Sequence, residues 1–119
     1  MLTSKQIMDF TVKVIDSKKG KDVKVLFIRD ISTVADYFVI CTANSTTQIK
    51  AISDEIERIL SIEGENPLRV EGKRDGGWVL VDFGVVVVHI FLSEMREFYS
   101  LERLWGDAPT VDISEIISE

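Results

Sequence analysis

Apolar positions in the first stretch of the chain recur at helical spacing. Ile7, Phe10, Thr11, Val14 and Ile15 share one side of a helix predicted over residues 4–18. Thr3 and Gln6 stand at capping-box spacing before it, and lysines with Gly20 end it, where the macrodipole favours cations. The period then changes to two. Residues 22–28 read as a strand with Val23, Val25 and Phe27 on one face and Lys24 opposed, and residues 30–36 connect it onward. Residues 37–43 are apolar on both faces, which predicts a strand inside the sheet. Ser45 and Gln48 form a second capping box, opening a helix with the stripe Ile49, Ile52, Ile56, Ile59 and Leu60 that ends near Gly64. Its solvated side carries Lys50, Asp54, Glu57 and Arg58. A short strand over 68–71 follows Asn66 and Pro67, and residues 72–76 turn the chain back.

Residues 76–91 hold two β-branched, apolar runs and predict a hairpin deep in the sheet. With Phe83 and Gly84 as the turn, Asp82 pairs with Val85, Leu80 with Val87 and Trp78 with His89. Those six residues then share one face. The other face, Val79, Val81, Val86, Val88 and Ile90, is wholly apolar and predicts core. The mixed face is either packed beneath another element or used for binding. A last helix is predicted from Ser93 through Trp105, with Phe98, Leu101 and Trp105 inward.

The order αββαβββα predicts an α+β fold, a mixed sheet of about five strands with packed helices. Residues 1–109 form one domain and 110–119 an acidic tail. Val111, Ile113, Ile116 and Ile117 can dock this tail as an amphipathic turn or leave it mobile.

At 119 residues the chain is long enough for one core. No apolar run reaches the ~20 residues of a membrane helix, and the N-terminus turns amphipathic without a signal-peptide core. One cysteine forbids an internal disulfide, and a reducing cytoplasm is the expected compartment. Twenty acids against 14 bases give a net charge of −6. Such a chain is repelled by bare phosphate and has no basic stripe beyond the helix end Lys18-Lys19-Gly20-Lys21, so a basic protein partner suits it better than nucleic acid.

Catalytic chemistry finds little support. Cys41 lies mid-strand among apolar residues, where a thiol acts as a small hydrophobe rather than pairing with His89 as a nucleophile. One histidine cannot anchor a zinc site. Asp82 and Asp75 invite a Mg²⁺ reading, but the residue predicted opposite Asp82 is Val85, which cannot coordinate. Neither phosphate-binding glycine motif occurs. No catalytic residue, cofactor or metal is therefore assigned.

Trp78 is the strongest positive sign, since tryptophan is enriched at interface hot spots. Burial beneath the last helix is the alternative. Two strands of hairpin present roughly 20 by 10 Å, well below the ~800 Å² per partner of a stable interface. Binding would have to recruit Tyr99 and Glu102 of the last helix, or the turn at Asp75.

Together several stretches resemble the Iojap family of ribosomal silencing factors. They are residues 35–42, Ser45 with Gln48, Pro67 with Glu71-Gly72, residues 78–84 and 86–91, and Arg96, Tyr99, Leu101-Glu102 and Leu104-Trp105. The resemblance implies a nucleotidyltransferase-like fold without transferase activity. It further implies binding to the large ribosomal subunit through ribosomal protein L-fourteen, which blocks joining of the small subunit and represses translation under nutrient limitation. Binding roles carry over to Trp78, Asp82 and Tyr99. Leu80 adds to the apolar anchor, Asp75 and Glu102 add charge, and His89 shares the face. The family usually has an acid after Gly84, where this chain has Val85. A small nucleotidyltransferase-like enzyme is the rival reading, and a third, a homodimer of the free protein, can coexist with ribosome binding.

Overall fold

A computed structural model describes residues 2–30, 35–72, 77–93 and 108–117, and among these described residues it shows two capped helices and five strands. Helix α1 spans Ser4–Ser17 and α2 Thr46–Ile62. The strands are β1 (Lys21–Phe27), β2 (Tyr37–Ala43), β3 (Arg69–Glu71), β4 (Trp78–Asp82) and β5 (Val86–Leu92). They form one mixed sheet in the order β1-β2-β5-β4-β3. Only the central β2–β5 pair is parallel; the other three pairs are antiparallel. The predicted α+β class is thus observed. The predicted last helix lies outside the described residues.

Local chemistry sets the helix ends. The Thr3 hydroxyl accepts the Gln6 N–H at 3.1 Å and the Gln6 side chain accepts the Thr3 N–H at 2.9 Å, a complete capping box. At α2 the Ser45 hydroxyl accepts the Gln48 N–H, but Gln48 Oε1 takes the N–H of Asn44 at 2.7 Å instead of closing the box. Gln48 Nε2 meanwhile donates to the carbonyls of Lys18 and Lys19, at 3.1 and 3.0 Å. One glutamine therefore caps α2 and satisfies orphan carbonyls at the end of α1. Both helices pack on the same face of the sheet. Ile7, Met8, Val12, Ile15, Ile49, Ile52, Ile56 and Leu60 meet Val39, Cys41, Val79, Val81, Val86, Val88 and Ile90 there. The hairpin face predicted as core is core.

The hairpin register differs from the expectation. Trp78 lies opposite Phe91, Leu80 opposite His89 and Asp82 opposite Val87. Gly84 and Val85 form the turn, closed by the Phe83 N–H donating to the Val86 carbonyl at 2.9 Å. Gly84 has φ +86°, the left-handed first position of a primed hairpin turn, which glycine adopts at no steric cost. The Val85 carbonyl accepts N–H groups from Asp36 and Tyr37, at 2.8 and 3.1 Å, anchoring the turn to the start of β2. The slip is two residues between strands, so parity and both faces survive, but Val85 leaves the face for the loop and is 40% exposed. The residue opposite Asp82 is Val87, again unable to coordinate a cation.

The tail after Pro109 docks. The Phe27 N–H donates to the Pro109 carbonyl and the Val111 N–H to the Val25 carbonyl, with Leu26 bridged to Thr110. Ile113 enters the helix-side core, and Val111, Ile116 and Ile117 pack against it.

Candidate functional site

The face turned away from the helices carries the mixed residues. Strand parity places Leu26 on β1, Phe38 and Ile40 on β2, Val87, His89 and Phe91 on β5, and Trp78, Leu80 and Asp82 on β4 there. Leu26, Ile28, Phe38, Ile40, Val87 and Phe91 form a second apolar cluster with Ala35 and Ala108, and Trp78 and Leu80 pack at its margin. Burial falls across the sheet. His89 and Phe91 are buried, Trp78, Leu80 and Asp82 half-buried, and Arg69 and Glu71 on β3 exposed.

Four rings hold the centre together. Trp78 stacks on Phe91 with centroids 5.1 Å apart and planes 23° from parallel. Phe38 meets His89 edge to face at 5.1 Å. The Trp78 indole N–H donates to His89 Nδ1 at 3.2 Å, which requires a neutral imidazole at that nitrogen and places its proton on Nε2. Burial pulls the His89 pKa down from 6.5 to about 4, with the Asp82 charge pulling weakly the other way. His89 is thus an uncharged acceptor that orients the tryptophan, and it is only 4% exposed.

Asp82 is also engaged within the chain. Its Oδ1 accepts the Gly84 N–H at 2.7 Å, bracing the hairpin turn, and its Oδ2 accepts from Arg69 Nε at 3.1 Å. Arg69 lies 3.5 Å from Glu71 as well. The accessible part of the face is therefore an apolar strip, Trp78 and Leu80, bordered by an acid–base–acid row of Asp82, Arg69 and Glu71.

Of the residues singled out in the sequence, the structure brings Trp78, Leu80, Asp82 and His89 onto this face. Asp75, Tyr99 and Glu102 lie outside the described residues. Phe38, Phe91 and Arg69 escaped sequence reasoning. Phe91 follows His89 by two residues, so strand parity was an available signal for it. Phe38 joins through the parallel β2–β5 pairing, which leaves no local mark.

The face lacks the geometry of a nucleophilic pair. Cys41 is fully buried on the helix side of β2, while His89 projects from the opposite face of β5. Among the described residues no cluster of acids, histidines and cysteine is arranged to hold a metal ion, and no helix is long and apolar enough to cross a membrane. What the arrangement can do is present a half-buried tryptophan and leucine beside fixed charges, the composition of a protein-docking patch.

Residues 2–119 match the family described as ribosomal silencing factor during starvation. The chain is 40% identical over 117 residues to ribosomal silencing factor RsfS of Halalkalibacterium halodurans, covering 98% of this chain and 100% of that one. It is 42% identical over 112 residues to the Bacillus subtilis protein of the same name, covering 94% and 95%. A crystal structure of a Chromobacterium violaceum protein shares the fold with a TM-score of 0.86, at 31% identity over 88% of each chain.

Proposed function

Because the chain belongs to the ribosomal silencing factor family, we propose that it is a cytoplasmic, non-enzymatic repressor of translation that binds the large ribosomal subunit. In this reading it docks on ribosomal protein L-fourteen and sterically prevents the small subunit from joining. The observation that carries the proposal is the match to the family along nearly the whole chain. The geometry supports it. Trp78 and Leu80 offer the apolar anchor, and the net charge of −6 suits a basic partner. Asp82 contributes from a fixed position, while His89 acts through Trp78 rather than by touching the partner. Asp75, Tyr99 and Glu102 would extend the contact beyond the hairpin, which is too small to bind alone.

Val85 belongs to this reading in a changed place. Because it occupies the turn, an acid at this position would stand at the hairpin tip and not opposite Asp82. The exposed tip is apolar in this chain, with Leu68 lying against Gly84 and itself 75% exposed.

Co-sedimentation with isolated large subunits tests the binding step. The protein should travel with the subunit at low salt and be released progressively as salt screens the exposed charges. Protein that stays at the top of the gradient at low salt defeats the proposal.

A further inference from the structure

Histidine is an expensive residue at position 89. Its ring is buried among Phe38, Phe91 and Trp78, and its Nε2 atom has no hydrogen-bond partner among the described residues. A buried donor left unpaired is unfavourable, and native structures hold few of them. Leucine or phenylalanine would fill the same apolar surroundings without an orphaned proton. What neither could supply is Nδ1, the atom that accepts the Trp78 indole N–H at 3.2 Å.

That bond decides something the ring stacking leaves open. Phe91 lies 5.1 Å from Trp78 with the planes 23° apart, which sets the plane of the indole. Turning the indole over about χ2 would put its other side on Phe91, and this torsion has two broad minima. Only one of the two brings the single indole N–H to Nδ1. The acceptor is itself held in place. Phe38 meets the imidazole edge to face at 5.1 Å, and Phe91 lies 6.2 Å away with its plane only 9° from parallel.

We propose that His89 is a positioning residue for partner binding, locking Trp78 in one of two orientations so that a carbon-only edge of the indole faces the partner. Given the mixed face as docking surface, the reading on which this rests, the bond also specifies what meets the tryptophan. Its one donor is spent within the chain, so Trp78 has none to give a carbonyl or carboxylate of the partner. The complementary spot is therefore apolar, formed by an aliphatic side chain or by the methylene stem of a lysine or arginine. A side chain already ordered in the free protein need not be ordered on binding. For one large side chain that advantage corresponds to roughly 2- to 12-fold in affinity.

A double-mutant cycle on binding to isolated large subunits, with unfolding curves and NMR beside it, tests the proposal. His89→Leu should weaken binding roughly 2- to 12-fold. Its stability in urea at neutral pH should hold or rise, since the orphaned donor leaves with the ring. If His89→Leu does not fold, His89→Phe takes its place. In the Trp78→Phe background the same substitution should change affinity by less than about 2-fold, because phenylalanine has no N–H to hold. Trp78→Phe should itself bind better than Trp78→Ala, as an apolar contact requires. His89→Asn, whose amide oxygen stands where Nδ1 stood, should recover affinity relative to His89→Leu. The Trp78 indole N–H resonance, identified by its absence in Trp78→Phe, should move in folded His89→Leu. Equal effects of His89→Leu in the two backgrounds, Trp78→Phe binding no better than Trp78→Ala, or no recovery in a folded His89→Asn would each overturn the proposal. An indole resonance unmoved in His89→Leu would overturn it whether or not the chain binds. A wild type that does not bind the subunit, with that resonance moving as expected, would instead defeat the docking reading and this inference with it.

Discussion

Acidifying the solution should weaken this fold more steeply than its carboxylates alone require, and His89 is the reason. The ring is 4% exposed, lies against Phe38 and Phe91, and accepts the Trp78 indole N–H at Nδ1. A second proton would displace that hydrogen bond and place a charge in an apolar cluster. The folded protein therefore holds the imidazole neutral down to about pH 4, whereas the unfolded chain takes up its proton near pH 6.5. Between those values the unfolded state binds more protons, so stability is complete above pH 6.5 and declines as pH falls towards 4. At about 1.4 kcal/mol per pH unit, the whole interval amounts to a loss of about 3 kcal/mol. That is a large share of the roughly 5–15 kcal/mol a domain possesses. Urea unfolding followed by tryptophan fluorescence, at several pH values between neutral and mildly acidic, measures the slope. His89→Gln isolates it, because glutamine keeps an acceptor near Trp78 but does not titrate. The variant starts less stable, yet its stability should fall less steeply with acid. Parallel curves for wild type and His89→Gln would refute the reasoning. So would an imidazole observed by NMR to titrate near pH 6.5 in the folded protein.

Three further substitutions probe the framework. Gly72→Ala should destabilise by about 3 kcal/mol or more, since its methyl group meets the Trp78 carbonyl and its φ is +91°. Gly64→Ala, at φ +89° with open space around it, should cost only about 1 kcal/mol; equal losses in a urea titration would show that the β3–β4 approach is not the constraint. Gln48→Ala removes both the acceptor for Asn44 and the donor to Lys18 and Lys19, and should cost about 1–2 kcal/mol. A melting temperature unchanged in Gln48→Ala would mean that water replaces the glutamine without loss.

Period and parity carried most of the fold. The two helices follow from stripes at a spacing of three and four, and their starts from Thr3 and Ser45. β2 begins and ends where its apolar run does. The core face of the hairpin depends only on alternation, which a slip of two residues leaves intact. Where the hairpin turns was not legible, because Phe83-Gly84 and Gly84-Val85 both satisfy local turn chemistry. The choice is tertiary: Asp36 and Tyr37 reach across to the Val85 carbonyl and hold it in the loop. The parallel pairing of β2 with β5 is equally non-local, and it decides that Phe38 joins the aromatic cluster. Trp78 posed the sharpest question, whether it is core or interface, and the structure shows a half-buried ring packed at the margin of the second apolar cluster. His89 was visible as a single histidine on a mixed face, but its role in fixing the tryptophan needed the register. Arg69 was unremarkable in sequence and acquires its partners Asp82 and Glu71 only when β3 pairs with β4.

The account rests on the mixed face acting as a docking surface that keeps the ribosomal subunits apart, and subunit joining measures that directly. Purified small and large subunits are combined with the wild-type protein or Trp78→Ala, and coupled ribosomes are quantified on a sucrose gradient. Unfolding curves recorded beside the assay establish that Trp78→Ala retains a cooperative fold despite losing its stacking on Phe91. The wild type should deplete the coupled peak in proportion to its concentration, while folded Trp78→Ala should leave it intact. A wild type without effect on coupling, or a folded Trp78→Ala variant as inhibitory as the wild type, would contradict the account.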